Sequence, residues 1–332
     1  MGRMIDGAWR AGKVTEDSKG GAFARADAGF RDWVTADGGP GPDGQPGRPA
    51  AAGRYHLFVS YACPWAHRTL IVRALKGLEE TIGVSVVDSV MLEDGWTFAT
   101  TRGGTGDPLH GSDFLWQLYA RARPGYTGKV TVPVLWDKEE GGIVSNESSE
   151  IIRMLGSAWD DLGAASGDFY PEGLRGEIDA INAEVYDTVN NGVYKAGFAT
   201  TQAAYEEAIG PLFETLDRLE ERLSSRDWLV GDTMTEADVR LFTTLVRFDA
   251  VYVGHFKCNV RRIADYPALE AYLERMLGVP AVAATVHLDH IKTHYYASHR
   301  DLNPCGIVPV GPALAWANKV AGGSTPSSSP RT

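Results

Sequence analysis

The stretch that decides the fold is Tyr55-His-Leu-Phe-Val-Ser-Tyr-Ala-Cys63-Pro64-Trp65-Ala-His-Arg68. Its first six residues are mostly aromatic or aliphatic and follow a glycine-rich stretch, which is typical of a strand. Proline is well tolerated in the first turn of a helix, so Pro64 predicts that a helix begins there. An apolar stripe of Leu70, Ala74 and Leu78 continues that helix. The sequence therefore predicts a strand, a cysteine and a helix in direct succession.

The elements that follow alternate between short strands and short helices. They are a buried strand at 83–90, a glycine-rich loop at 93–111, a helix at 113–122, strands at 130–137 and 142–145 joined by a hairpin turn, and a helix at 149–155. The first two strands flank a helix and should be parallel. The order β-α-β-α-β-β-α predicts an α/β thioredoxin-like N-terminal domain.

After Pro171 the pattern is helical only. Apolar residues repeat at helical spacing in three runs: Ile209, Leu212, Phe213, Leu216, Leu219 and Leu223; Ala237, Leu241, Thr244, Leu245 and Phe248; and Leu269, Leu273, Met276 and Leu277. Thr235 and Asp238 stand before the second run as a capping-box variant, with Asp in place of Glu. These features predict an all-α C-terminal domain.

The chain divides into four parts on this interpretation. Residues 1–53 form an extended N-terminal arm with little capacity for a core, and 54–160 form the thioredoxin-like domain. Residues 171–300 form the helical domain, and 301–332 form a C-terminal extension with a disordered tail, because its end is rich in Gly, Ser and Pro.

Composition excludes several classes of function. The 332 residues carry 32 Lys and Arg against 43 Asp and Glu, a net charge of −11 without a basic block, so nucleic acid is not an expected partner. No apolar run approaches the ~20 residues that span a bilayer, and no secretory signal is present. Three cysteines are too few and too scattered for a disulfide framework, so we expect a cytoplasmic protein with reduced thiols.

Cys63 is the candidate nucleophile. The free N–H groups and the dipole at a helix start stabilise an anion, so we expect the pKa of this thiol to be lowered towards neutrality. A lone cysteine is more often a small buried hydrophobe. The strand–Cys–Pro–helix context favours the reactive interpretation.

The residue three after Cys63 is Ala66, so no neighbouring thiol can resolve a disulfide formed there. Glutathione is the obvious soluble thiol for that step. Cys258 and Cys305 lie far along the chain and are expected to be bystanders.

Three features suit a peptide ligand that carries a thiol. A cis bond before Pro133 would expose the Val132 backbone N–H and C=O to an extended peptide. Glu147 and Ser148 at a helix start offer an acceptor for an ammonium group and donors for a carboxylate, although plain N-capping explains them equally well. Lys129 is a cation beside the same strand, and alone it would be an ordinary surface lysine.

Several separated segments carry a family resemblance over residues 30–312: Tyr61-Ala-Cys-Pro-Trp-Ala-His-Arg68, Val132-Pro-Val-Leu135, Asn146-Glu-Ser-Ser-Glu-Ile151, Thr235-Glu-Ala-Asp-Val-Arg240, Arg247-Phe-Asp-Ala-Val-Tyr-Val-Gly-His-Phe-Lys-Cys-Asn259 and His290-Ile-Lys-Thr-His-Tyr-Tyr-Ala-Ser-His299, which continues to Gly306-Ile-Val-Pro-Val-Gly311. The first four resemble cysteine-type glutathione transferases. The last two narrow the resemblance to the Xi class, the glutathionyl-hydroquinone reductases.

The resemblance implies a dimer with an all-α domain of the glutathione-transferase type. It also implies that Cys63 attacks the sulfur of a glutathionyl-hydroquinone and that a second glutathione resolves the mixed disulfide. It places glutathione against Trp96, Lys129, Val132, Glu147 and Ser148, and the hydroquinone against Tyr194 and Tyr295 or Tyr296. Relatives commonly have Arg where Lys129 stands, and lysine keeps the charge but loses the bidentate fork.

Three other interpretations stay open at this point. An omega-like thiol transferase or dehydroascorbate reductase would use the same Cys63, and a non-enzymatic binding module would not need the thiol. His287, His290 and His294 are spaced as a possible metal face, but the family that the chain resembles uses no metal, and we expect none.

Overall fold

The N-terminal domain is built on a four-stranded sheet. The computed structural model describes residues 2–13 and 18–320, so the predicted tail from Gly322 lies outside the described residues. The strands are β5 (Tyr55–Val59), β6 (Gly83–Val86), β7 (Val134–Asp137) and β8 (Gly142–Ser145), in the order β6-β5-β7-β8. β5 and β6 are parallel, as predicted, while β7 is antiparallel to both β5 and β8.

Three helices cover this sheet: α1 (Pro64–Leu75), α2 (Leu115–Ala122) and α3 (Ser148–Ser157). α1 packs against α3, and α2 packs beside β8. The predicted β-α-β-α-β-β-α order and the thioredoxin-like class are confirmed.

Two strands are shorter than their apolar runs predicted. β6 ends at Val86 because the chain turns at Asp88, whose Oδ1 accepts the Val90 N–H at 2.8 Å. β7 begins only at Val134, directly after Pro133, which has no N–H to donate to a neighbouring strand.

The N-terminal arm is more structured than its composition predicted. It contains the hairpin β1 (Arg3–Ile5) and β2 (Ala8–Arg10), and the parallel pair β3 (Trp33–Thr35) and β4 (Gly47–Pro49). Met4 and Val34 are fully buried, and Phe30 and Trp33 nearly so. The expectation of little capacity for a core is therefore wrong. These apolar side chains are few and follow no periodic pattern in the sequence, yet they are buried in the folded protein.

The second domain is helical throughout. Its helices are α4 (Arg175–Val185), α5 (Gly192–Gly197), α6 (Gln202–Leu223), α7 (Glu236–Arg247), α8 (Val253–His255), α9 (Pro267–Leu277), α10 (Pro280–Ala283) and α11 (Leu288–Ser298), with π-helical turns at Tyr186–Asn190 and Phe248–Tyr252. The Thr235 N–H donates to Asp238 Oδ2 at 2.8 Å, which confirms the predicted capping box at the start of α7.

The two domains pack together at α1. α7 and α10 lie against α1, so the helix that begins after Cys63 has one side on its own sheet and another on the helical domain. After α11 the chain carries four buried residues, His299, Leu314, Trp316 and Ala317, and its described part ends at residue 320.

Candidate active site

Cys63 is the residue that caps the start of α1. Its backbone is extended, with φ −75° and ψ 121°, and its carbonyl accepts the His67 N–H at 3.0 Å in the first turn. The side chain is partly exposed. Its Sγ lies 3.5 Å from the Val132 carbonyl oxygen, which places the thiol beside the chain that leads into β7.

The pKa of the Cys63 thiol is raised, not lowered as the sequence predicted. Burial raises the pKa, and this effect outweighs the backbone N–H groups of Ala66 and Trp65 and the charges of Arg247 and Arg25, all of which lower it. The helix start acts as expected, but it does not compensate fully for the desolvation of an anion. The thiolate is therefore stabilised by these N–H groups and by the two arginines against the effect of burial.

A single cleft surrounds this thiol and draws on both domains and the arm. Its lining comprises Phe23, Ala24, Arg25, Ala26, Cys63, Pro64, Trp65, Trp96, Lys129, Thr131, Val132, Tyr194, Phe198, His294, Tyr295 and His299. Six of the residues expected at the site are in this set: Cys63, Trp96, Lys129, Val132, Tyr194 and Tyr295.

The tyrosines form a hydrogen-bonded row on the helical side of the cleft. The Tyr194 and Tyr295 hydroxyls are 2.6 Å apart, and the Tyr295 hydroxyl is 2.9 Å from that of Tyr252. Burial raises the pKa of all three, so they are protonated at neutral pH and can donate hydrogen bonds. Tyr252 was not predicted as a site residue. Nothing in the local sequence pattern shows that the π-helical turn Phe248–Tyr252 places its hydroxyl beside that of Tyr295 on α11.

Tyr296 takes no part in this row. It is absent from the lining of the cleft, and its hydroxyl donates to the Ala250 carbonyl at 3.4 Å. Its ring packs against His255, with centroids 4.7 Å apart. Of the two adjacent tyrosines that the sequence left open, Tyr295 faces the cleft.

Trp96 and the segment before β7 form the opposite wall. Trp96 is buried and stacks on His294, with ring centroids 4.8 Å apart. The Val132–Pro133 peptide bond is cis, as expected from the sequence. Lys129 lies on the same segment and also lines the cleft.

Glu147 and Ser148 lie outside the lining of the cleft. Glu147 caps α3, and its Oε1 accepts from the Ser149 N–H at 2.9 Å and from the Ser149 hydroxyl at 2.8 Å. Ser148 is buried, with its hydroxyl 3.4 Å from an Arg68 amino group. The capping role that the sequence offered as the alternative for Glu147 is the one seen here.

Arg25 and Trp65 are cleft residues that the sequence did not single out. The Arg25 guanidinium lies 4.6 Å from the centroid of Trp65 and 5.0 Å from that of Tyr194. Its Nε donates to Asn191 Oδ1 at 2.8 Å. Nothing in the sequence indicated a role for Arg25, because this residue belongs to the arm, which lacks any periodic pattern.

The histidines of α11 are used in ring packing. His287 stacks on Tyr61 with centroids 3.6 Å apart, and His294 stacks on Trp96. Across residues 2–13 and 18–320, no group of three or more His, Cys, Asp or Glu residues is placed to hold a metal ion. Cys63, Cys258 and Cys305 are all free thiols.

Comparison with known proteins identifies the family. The model "Glutathione S-transferase, N-terminal domain" matches residues 62–158, and "Glutathione S-transferase, C-terminal domain" matches residues 202–275. The chain is 58% identical over 313 residues to the glutathionyl-hydroquinone reductase PcpF of Sphingobium chlorophenolicum, covering 94% of this chain and 97% of that one. The chain therefore belongs to the glutathione transferase family.

Solved structures define the class more closely. The glutathione-bound structure of YqjG, a glutathione transferase homolog from Escherichia coli K-12, superposes with a TM-score of 0.88 at 54% identity, covering 97% of this chain and 99% of that one. The glutathione transferase Xi of Phanerochaete chrysosporium gives 0.83 at 53% identity, with coverages of 87% and 97%. Within the family the chain belongs to the Xi class. Among its described helices, none has the length and apolar character to cross a membrane.

Proposed function

We propose that the protein reduces glutathionyl-hydroquinones to hydroquinones with glutathione as co-substrate. The observation that carries the proposal is that, among the described residues, the lining of one cleft contains a single cysteine together with two tyrosines whose hydroxyls are 2.6 Å apart. The similarity to PcpF, a glutathionyl-hydroquinone reductase, supports the same substrate class.

The reaction balances as two displacements at sulfur, the first on the thioether of the adduct and the second on the mixed disulfide. The Cys63 thiolate attacks the sulfur of the adduct, a disulfide bond to glutathione forms, and the carbon–sulfur bond breaks. The electron pair of the carbon–sulfur bond stays on the ring carbon. This carbon takes up a proton, and the hydroquinone leaves. A second glutathione thiolate then attacks the glutathione sulfur of the mixed disulfide, so oxidised glutathione leaves and the Cys63 thiolate is restored.

The glutathione part of the adduct would bind along the wall that carries Trp96, Lys129 and Val132. The Val132 N–H and C=O suit backbone pairing with an extended tripeptide, and the Lys129 ammonium suits a carboxylate. Glu147 and Ser148 would receive the γ-glutamyl end at the start of α3. Glu147 would then have to exchange its bonds to Ser149 for an ammonium group.

The hydroquinone ring would bind against Tyr194 and Tyr295. Their protonated hydroxyls can donate hydrogen bonds to the ring oxygens, which orients the ring, and can deliver the proton that the ring carbon takes up as the carbon–sulfur bond breaks. Tyr252 would hold Tyr295 in place through the bond at 2.9 Å.

The decisive experiment compares the wild-type protein with Cys63→Ala. Each is offered a glutathionyl-hydroquinone plus glutathione, with dehydroascorbate plus glutathione as the second substrate. We expect hydroquinone release by the wild type and its loss in Cys63→Ala. Full activity of the variant would refute the assignment of the nucleophile. Turnover of dehydroascorbate alone would favour an omega-like thiol transferase that uses the same cysteine.

We further propose that the protein acts as a homodimer in the cytoplasm. The free thiols Cys63, Cys258 and Cys305 suit a reducing compartment. Ile307 and Val310 of the C-terminal extension are 69% and 82% exposed, and such apolar side chains suit contact with a second copy. Light scattering during size-exclusion chromatography tests the dimer, and a monomer at micromolar concentration would refute it.

A further inference from the structure

The last residue of α7 binds the turn that carries Cys63. Arg247 is fully buried, and its side chain crosses from the helical domain to the end of β5. Its Nε donates to the Ala62 carbonyl at 2.9 Å, and its Nη2 donates to the Tyr61 carbonyl at 3.0 Å. One guanidinium thus holds the two consecutive carbonyls directly before Cys63, which fixes where the thiol points.

The remaining amino group of Arg247 is also fully hydrogen-bonded, which holds the guanidinium in place. Its Nη1 donates to the Thr243 carbonyl at 2.7 Å and to His67 Nδ1, which lies 3.0 Å away. The Thr285 hydroxyl gives its proton to the Val282 carbonyl at 2.6 Å, so His67 Nε2 must donate to Thr285 Oγ1 at 2.9 Å. His67 Nδ1 therefore carries the lone pair that Arg247 needs, and the imidazole is neutral.

Every acceptor of Arg247 is uncharged. Within the described parts of the chain, no carboxylate lies within ion-pair distance of this guanidinium, whereas Arg240, two turns earlier on α7, is 3.7 Å from Glu236. A buried positive charge without a counter-ion is expensive. The Cys63 thiolate, although partly exposed, is also desolvated, because burial raises the pKa of this thiol while the charge of Arg247 lowers it. Cys63 directly follows the two carbonyls that Arg247 binds.

Other polar groups face Cys63 from each element around it. In the described residues the polar side chains that line the cleft with Cys63 are Arg25 from the arm, Lys129 and Thr131 before β7, Tyr194 on α5, His294 and Tyr295 on α11, and His299 at its end. His67 on α1 lies behind the cleft, against Arg247. Burial lowers the pKa of His67, His294 and His299 and raises that of the two tyrosines, so these five are neutral near pH 7. Arg25, Lys129 and Arg247 supply the positive charge, and of these Arg247 is the buried one.

We propose that Arg247 is a positioning residue for Cys63, which orients the cysteine-bearing turn and serves as the buried counter-charge of the thiolate. The proposal rests on the proposed function in taking Cys63 as the nucleophile. It assigns to the helical domain a direct part in the reactivity of a cysteine that lies in the other domain.

The test measures how fast iodoacetamide alkylates Cys63 as a function of pH, in the full-length protein. The extent of alkylation is measured by mass spectrometry of the peptide that contains Cys63, so that reaction of the exposed Cys305 does not contribute. We call the pH at which the alkylation rate reaches half its maximum the alkylation midpoint. Arg247→Met removes the charge at similar volume, and we expect it to raise this midpoint by about one pH unit or more. Below the midpoint the reaction should then be about tenfold slower. Arg247→Lys should restore part of this shift, because it keeps the charge without the fork.

Arg240→Met is the matched control. It removes a buried arginine from the same face of α7, but one that pairs with Glu236. We expect the midpoint of Cys63 to stay at the wild-type value. Coincident midpoints for Arg247→Met and the wild type, or equal shifts in the two methionine variants, would overturn the proposal.

A second measurement needs no substitution of Arg247, because removing a fully buried arginine can prevent folding. The arginine Nε–H resonances are followed by NMR during a pH titration of the wild type and of Cys63→Ala. One buried arginine resonance should shift with the alkylation midpoint in the wild type and not in Cys63→Ala. Its failure to shift in the wild type would refute the proposal. Neither readout uses the hydroquinone substrate, so failure of the proposed function shows separately, as wild-type protein without reductase activity.

Discussion

Tyr295→Phe is the substitution that tests the proposed proton donor most directly. The hydroxyl it removes lies 2.6 Å from that of Tyr194 and 2.9 Å from that of Tyr252, in the same cleft as Cys63. Proton donation in a transition state typically contributes 10²- to 10⁴-fold. Tyr194 remains in the variant, so we expect the lower end, a loss of about 100-fold in kcat/KM, or about 2.7 kcal/mol.

The substitution also affects stability, and the two effects must be separated. Tyr252 and Tyr194 each lose a partner, and a buried hydroxyl left unsatisfied costs about 1–3 kcal/mol. Thermal unfolding of Tyr295→Phe should therefore show a moderate destabilisation. The initial rate of hydroquinone release at saturating glutathione is measured well below the unfolding temperature, so that loss of folded protein does not contribute to the result.

Tyr296→Phe supplies the control for the chemistry. Its hydroxyl lies outside the cleft and makes one long bond to the Ala250 carbonyl. We expect its kcat/KM to stay within about twofold of the wild type, since its hydroxyl contacts neither the cleft nor the hydrogen-bonded tyrosines. If Tyr295→Phe retained wild-type activity, or if Tyr296→Phe lost as much, the assignment of the proton donor would be wrong.

Three further predictions follow from the site and the fold. Cys63→Ser should abolish reduction of the adduct but increase conjugation of glutathione to an electrophile such as chlorodinitrobenzene, because a hydroxyl stabilises the glutathione thiolate without trapping it; loss of both activities would contradict this. Burial raises the pKa of the Cys63 thiol, so its alkylation in the unliganded protein should keep rising with pH beyond the point at which free cysteine has levelled off, and an early plateau would show a lowered pKa. Met4→Ala should destabilise the protein by about 2–5 kcal/mol in chemical denaturation, because the side chain is fully buried, whereas Ile5→Ala, at an exposed position, should change little.

The sequence was sufficient where local pattern and tertiary structure agree. The strand and helix on either side of Cys63, the helix with the Leu212 stripe and the capping box at Thr235 follow from periodicity and from the chemistry of helix ends. These signals lie within about ten residues of one another, so they need no knowledge of the remaining chain.

Contacts between distant residues could not be predicted in this way. Arg247 binds carbonyls 185 and 186 positions away, and no local pattern points to them. The buried Met4 exchanges two backbone hydrogen bonds with Gly128, although the polar sequence around it, followed by the Gly- and Pro-rich stretch at 37–53, predicted an arm with little capacity for a core. The dependence on distant residues also explains why the pKa of Cys63 was wrongly predicted to be lowered. The helix start is visible in the sequence, but the depth of burial is set by three separate segments.

The charge distribution of the cleft is a separate observation that supports attack by the Cys63 thiolate on an anionic glutathione adduct. Cysteine nucleophiles are often activated by a histidine base, but here burial lowers the pKa of His294 to about 4, and its Nδ1 lies 3.1 Å from the Ser89 carbonyl. With neutral histidines and protonated tyrosines, the charged side chains that the described part of the chain places around Cys63 are Arg25, Lys129 and Arg247. A cleft with fixed positive charge favours an anionic substrate such as glutathione, and it also stabilises the charge that moves from the attacking thiolate to the departing ring. Because guanidinium groups keep their charge through the pH range of the assay, this stabilisation should persist while the thiol titrates, and Cys63 itself should set the alkaline dependence of the rate.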